Sequence, residues 1–126
     1  MQSSKPVSVP LAGHFRLSSS QSPVTAEDKE AMVRIPYDSA VGSLMYSMVC
    51  TRPDLAHAVG VVSRYMSNPG RSHWEEVKWI FRYIRGTSDL GLCFGCTDIV
   101  LEGFTNSDMA GDIDHRRSTS GFLMTF

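Results

Sequence analysis

The side chains best able to do chemistry in this sequence are a cluster of aspartates, a pair of thiols and a few histidines. Asp108, Asp112 and Asp114 crowd one polar stretch. Such a run can hold a hard cation through oxygen ligands, as a calcium loop does. Here the pattern fails twice, because Ala110 stands where a further loop ligand belongs and Arg117 where a bidentate Glu belongs. The stretch therefore reads as a solvated acidic loop. Cys93 and Cys96 have the spacing of a zinc knuckle, yet structural zinc needs four ligands. Cys50 falls in a helical pattern and His115 is the only histidine after residue 73, so the thiols read as incidental. A redox pair wants a helix N-terminus, and these two lie at an expected hairpin turn. His14, His57 and His73 have structural readings, and His73, beside Trp74 at a helix start, suits packing or capping. No Ser–His–Asp arrangement can be built, since nothing in the spacing sets its geometry.

A second constellation is cationic. Arg64, Arg71, Lys78, Arg82 and Arg85 face only Glu75 and Glu76 within their segment, whereas Gly86 to His115 holds six acids and no Lys or Arg. Lys78, Arg82 and Arg85 recur at helical spacing and form one stripe, and Arg116 and Arg117 form a separate pair. Two readings stand side by side: phosphate contacts that weaken with salt and ignore sequence, or an ordinary solvated face with local pairing to Glu75.

The elements that must position these residues follow from periodicity. Pro6, Pro10, Pro23 and the Ser18-Ser19-Ser20 run make residues 1–25 an extended linker. A short helix is expected over Ala26–Arg34 with Thr25 as N-cap. The next runs over Tyr37–Cys50, with Val41, Leu44, Met45, Met48 and Val49 as its apolar face. Thr51-Arg52-Pro53-Asp54 opens a third helix, with Thr51 as cap, and Asn68-Pro69-Gly70 stops it. A capping box of Ser72 and Glu75 starts a fourth, which ends at Gly86. Its core face would carry Trp74, Val77, Ile80, Phe81 and Ile84, with Trp79 on the far flank against Tyr83 or a neighbouring subdomain. Beyond Gly86 the period shortens. Leu90–Phe94 and Ile99–Asn106 read as strands around a Gly95–Asp98 turn, and Thr119–Phe126 as another, with Phe122, Met124 and Phe126 on one side. The sequence stops inside that strand, which suggests truncation, because a sheet left there keeps an unpaired edge.

The bulk numbers agree with a folded chain. Of 126 residues 42% are apolar and 20% charged, and the net charge is −1. This excludes a disordered composition and a strongly basic nucleic-acid binder. No apolar run reaches the roughly 20 residues that span a bilayer, and no apolar signal core opens the chain, so an intracellular location is expected and no membrane partner. Three cysteines argue against a disulfide framework.

Several blocks in a fixed order carry a family resemblance. They are Ile35-Pro36-Tyr37-Asp38-Ser39-Ala40-Val41-Gly42-Ser43-Leu44-Met45-Tyr46, Thr51-Arg52-Pro53-Asp54-Leu55-Ala56 and Ser67-Asn68-Pro69 with His73-Trp74. They continue as Lys78-Trp79-Ile80-Phe81-Arg82-Tyr83-Ile84-Arg85-Gly86-Thr87, Gly103-Phe104-Thr105-Asn106-Ser107-Asp108-Met109-Ala110-Gly111-Asp112 and Arg116-Arg117-Ser118-Thr119-Ser120-Gly121. Together they resemble the Pol polyprotein of copia-type LTR retrotransposons, over roughly residues 5–126.

The resemblance implies an α+β chain, a small helical thumb-like bundle followed by the first strands of a truncated ribonuclease H-like fold. Residues 1–25 would leave the reverse transcriptase palm, 26–86 would be thumb and connection, and 87–126 a β-hairpin and N-terminal ribonuclease H strands. The parent enzyme would copy RNA into DNA and degrade RNA in the hybrid, using Mg²⁺ and an RNA/DNA template–primer. This chain departs from that pattern. It contains no Asp-Asp dipeptide, and Asn106 stands at the position of the first ribonuclease H carboxylate, with Asp108 nearby. Two-metal chemistry needs several carboxylates. The expectation is thus a catalytically incomplete segment with no metal site or cofactor of its own, and weak or no nucleic-acid binding. Self-association through an uncovered apolar surface is a third possibility.

Overall fold

The computed structural model describes residues 4–91 and 100–125, which divide into two compact units, Met1–Asp89 and Leu90–Phe126. The first is helical: α1 (Ala26–Val33), α2 (Tyr37–Cys50), α3 (Ala56–Ser63) and α4 (Arg71–Gly86), with short 3₁₀ turns at Ser19–Gln21 and Pro53–Leu55. The second is an antiparallel pair, β1 (Glu102–Asp108) and β2 (Thr119–Thr125). The chain is therefore α+β. No helix among the described residues is long and apolar enough to cross a membrane.

Helix α1 starts as expected, with the Thr25 hydroxyl accepting the Asp28 N–H at 3.2 Å. Helix α2 also has its expected span, but its buried stripe is Tyr37, Val41 and Leu44, with Met48 half-buried. Met45 and Val49, assigned to the core from sequence, are 41% and 78% exposed. The spacing 37-41-44-48 follows one face, and the other two residues lie about 100° off it.

Thr51 does not cap the third helix. Arg52 precedes a 3₁₀ turn at Pro53–Leu55 that feeds α3, and no side chain caps it. Asp54 instead accepts two bonds from the Arg52 guanidinium, at 3.0 and 2.8 Å. The Arg52 Nη2 also donates to the Thr87 hydroxyl at 2.7 Å, the Tyr83 hydroxyl donates to Asp54 at 2.8 Å, and Arg52 lies over the Tyr83 ring. Two of the sequence blocks thus meet as one clasp between the 3₁₀ turn and the end of α4.

Helix α4 begins at Arg71, before the expected Ser72–Glu75 box, which is not formed. Glu75 pairs with Lys78, and the Gly70 N–H donates to His73 Nδ1 at 2.8 Å. The buried residues of α4 are His73, Glu76, Val77 and Ile80. Val77 and Ile80 meet Val41 and Leu44 of α2, Val59 and Val62 of α3, and Leu55 and Leu17 in one core. A fully buried Val or Leu contributes about 1.5–3 kcal/mol, so these few side chains dominate the bundle's stability.

Residues 4–17 are not a free linker. Leu17 is buried, and Leu11 and Phe15 pack against the same core. The expected strand Leu90–Phe94, its Gly95–Asp98 turn, the Cys93–Cys96 pair and Phe126 lie wholly or partly outside the described residues. The described hairpin is β1 with β2, joined by residues 109–118, in the register Phe104 to Leu123 and Asn106 to Gly121.

Candidate functional site

The cationic stripe of α4 is the first place to look for a site. Lys78, Arg82 and Arg85 do share a flank, but each has a partner. Lys78 pairs with Glu75. Arg82 Nε donates to the Lys5 carbonyl at 2.6 Å, and Arg85 Nη1 to the Ser4 carbonyl at 2.7 Å. Trp79 joins them, donating from Nε1 to the Val9 carbonyl at 2.9 Å, with Arg82 stacked 4.9 Å over its ring. Sequence placed Trp79 against Tyr83 or a neighbouring subdomain. It packs instead against His14 and Phe15, with ring centroids 5.3 and 5.7 Å away, because the N-terminal arm folds back along this flank.

The other basic candidates are scattered. Arg64 closes α3, and Arg71 opens α4 at the rim of a groove of about 330 Å³ beside α1. Arg116 and Arg117 belong to the second unit, where their backbone holds the loop between the strands. The Arg116 N–H donates to the Asp112 carbonyl at 2.7 Å, and the Asp112 N–H to the Arg117 carbonyl at 3.2 Å.

The acidic loop is built around one of its own members. Asp112 is buried, and its Oδ1 accepts the N–H groups of Asp114 and His115 at 3.0 and 3.3 Å. A carboxylate that accepts local backbone N–H groups substitutes for secondary structure in a loop. Asp112 is therefore a structural residue, not a solvated one. Asn106 and Asp108 lie two apart on β1 and so face the same side. The Asn106 amide lies across Gly121, where a methyl group would sit 2.7 Å from its Oδ1. The Asp108 carboxylate lies against Gly111. An amide and one carboxylate are a poor donor set for Mg²⁺, which prefers several hard oxygen ligands. Among the described residues no three His, Cys, Asp or Glu side chains converge on a possible metal position.

Two buried polar residues stand out: His73, which takes the packing and capping role expected of it, and Glu76, which escaped sequence reasoning. His73 is fully buried and stacked on Tyr65 at 4.0 Å. Its Nδ1 accepts the Gly70 N–H, so the proton resides on Nε2, which donates to the Ser18 carbonyl at 3.1 Å. Glu76, one turn on, is 0% exposed, and neither carboxylate oxygen has a hydrogen-bond partner among the described residues. Burial pushes its pKa from 4.5 up to about 8, so at neutral pH the group is held largely as the acid. Burial also raises the Tyr37 phenol, with smaller contributions from Tyr65, Asp38 and Glu76. Tyr37 donates to the Val62 carbonyl at 2.7 Å. The signal for both residues was present in the sequence as the spacing 73-76-77-80, a helical stripe masked by its polar members.

Comparison with known proteins now adds to this geometry. The chain is 63% identical to the "Retrovirus-related Pol polyprotein from transposon TNT 1-94" of Nicotiana tabacum, over all of this chain and 10% of that protein. It is 36% identical to the "Retrovirus-related Pol polyprotein from transposon RE2" of Arabidopsis thaliana, over 98% of this chain and 8% of the relative. A "Secreted RxLR effector protein 161" of Plasmopara viticola is 50% identical over 73% of this chain and 66% of its own length. The chain thus spans about a tenth of the length of the polyproteins it matches. No family model and no solved structure matches it. With this similarity running along almost the whole of its length, the chain belongs to the Pol polyproteins of copia-type retrotransposons.

Proposed function

We propose that this chain is the stretch of a copia-type Pol polyprotein in which the helical end of reverse transcriptase, residues 26–86, passes into the first strands of ribonuclease H, residues 87–126. By itself it is catalytically incomplete. The parent polyprotein would copy RNA into DNA and degrade the RNA of the hybrid, holding an RNA/DNA template–primer with the help of Mg²⁺.

One observation carries the inactivity. Asn106, at the family position of the first metal-holding carboxylate, lies across Gly121 in mid-hairpin as a neutral amide. The helical unit followed by an antiparallel hairpin supports the order of the two parts. Phosphodiester chemistry by two metals needs carboxylates that bridge or flank both ions, and β1 supplies only Asp108 at this place.

The test is an RNA–DNA hybrid cleavage assay in Mg²⁺ and in Mn²⁺, with a template–primer extension assay beside it. No turnover above a mock purification is expected in either. Cleavage that scales with protein and disappears in Asp108→Asn would overturn the reading.

A further inference from the structure

The cationic flank of α4 is covered by the protein's own chain. Three side chains grip the arm, and each bond ends on a main-chain carbonyl: Arg85 on Ser4, Arg82 on Lys5, Trp79 on Val9. These three bonds therefore read the arm's backbone carbonyls. Gly86 completes the seat, because Pro6 lies where its side chain would be. Beyond residue 9 the arm is anchored differently, by Leu11, Phe15 and Leu17 against the core. Release of residues 4–9 leaves that anchor in place.

All three acceptors are neutral. A phosphate oxygen is charged, and its bond to a guanidinium is roughly twice as strong as a neutral one. Lys78, Arg82 and Arg85 are spaced i, i+4, i+7, which sets them along about 10 Å of helix. A nucleic-acid strand carries a charge every ~3.4 Å of duplex axis, so it offers acceptors to all three. The Trp79 ring beside them is a surface on which a base can stack.

We infer that residues 4–9 are a displaceable cover over a nucleic-acid phosphate site formed by Lys78, Arg82 and Arg85, with arm and strand competing for the same guanidinium donors. The inference goes beyond the function proposed above and does not depend on what the hairpin belongs to.

Two substitutions loosen the arm without removing a cation. In Gly86→Ala the new methyl meets Pro6 Cβ at 2.8 Å and the Val7 carbonyl at 3.4 Å. Trp79→Phe keeps a ring but loses the bond to Val9. The measurement is fluorescence anisotropy of a labelled single-stranded oligonucleotide at low salt, titrated with the full chain. Each variant is expected to bind about fivefold more tightly than the parent, because the closed arm lowers the fraction of chain able to bind. Adding Arg82→Gln and Arg85→Gln to either variant should remove the gain, and salt should weaken the tighter binding. Circular dichroism confirms folding, and if Gly86→Ala fails to fold, Trp79→Phe decides. Binding no tighter in the folded variants, or a gain that survives loss of both arginines, overturns the competition.

Discussion

Glu76 shows what one residue can do to a small bundle. It sits in the middle of the α4 core stripe, fully buried, with no group among the described residues to satisfy its carboxyl oxygens. In the unfolded chain it ionises near 4.5, and in the folded chain it keeps its proton up to about 8. Folding between those values takes up a proton. Its contribution to stability is therefore complete below about 4.5 and is lost as pH rises through about 8. The expected slope is roughly 1.4 kcal/mol per pH unit within that window. Asp54 acts in the opposite sense. Its hydrogen bond from Arg52 lowers its pKa, so its smaller, partly exposed contribution fades only in acid. Urea melts of the first unit between pH 5 and 9 should show stability falling with pH, and Glu76→Gln should flatten the curve. A slope that persists in that variant would assign the effect to another group.

At the scale of elements, α4 organises the helical unit from both sides. Its inner face supplies Val77 and Ile80 to the core, and its outer flank holds the arm. Its last turn is tied to the 3₁₀ turn before α3 through Arg52, Asp54, Tyr83 and Thr87. The ion pair alone is worth little, because Asp54 is 40% exposed. The bond to Thr87 and the stacking on Tyr83 add to it. Arg52→Ala should cost about 1 kcal/mol or slightly more, read as a lower thermal midpoint, while Arg52→Lys recovers only part of this because Lys lacks the planar fork. Tyr37→Phe should cost a similar amount, about 1 kcal/mol, by removing the phenol's bond to the Val62 carbonyl, which then keeps the Tyr65 N–H at 3.3 Å. In the hairpin, Gly121 gives the Asn106 amide its place. Gly121→Val should displace that amide and change the amide proton shifts of β1.

For the molecule as a whole, the two units are unequal. The helical unit has a continuous core, whereas every residue of β1 is exposed and β2 leaves Phe122 80%, Leu123 60% and Met124 61% exposed. A two-stranded hairpin alone is marginal in water. Both tryptophans, Trp74 and Trp79, lie in the first unit, so their fluorescence reports that unit. Gly121→Val and Phe122→Ser are expected to leave the tryptophan melting midpoint unchanged. Self-association as concentration rises is the expected consequence of such exposed apolar strands. Sizing with light scattering should show it, and Phe122→Ser with Met124→Ser should reduce it.

The sequence by itself determined the family, the α+β order, the spans of α1 and α2, and the alternation that makes 119–125 a strand. These follow from ordered motif blocks and from local periodicity, which short-range sterics impose on any chain. Periodicity also placed Val41, Leu44, Val77 and Ile80 inside, and only the tertiary structure set the limits of each buried face. It exposed Met45 and Val49, buried Glu76 and His73, and turned the basic stripe of α4 toward the carbonyls of residues 4 and 5. Burial depends on partners far along the chain, up to 81 residues away for Arg85. No local pattern carries that information, because a side chain's environment is set by whatever packs against it.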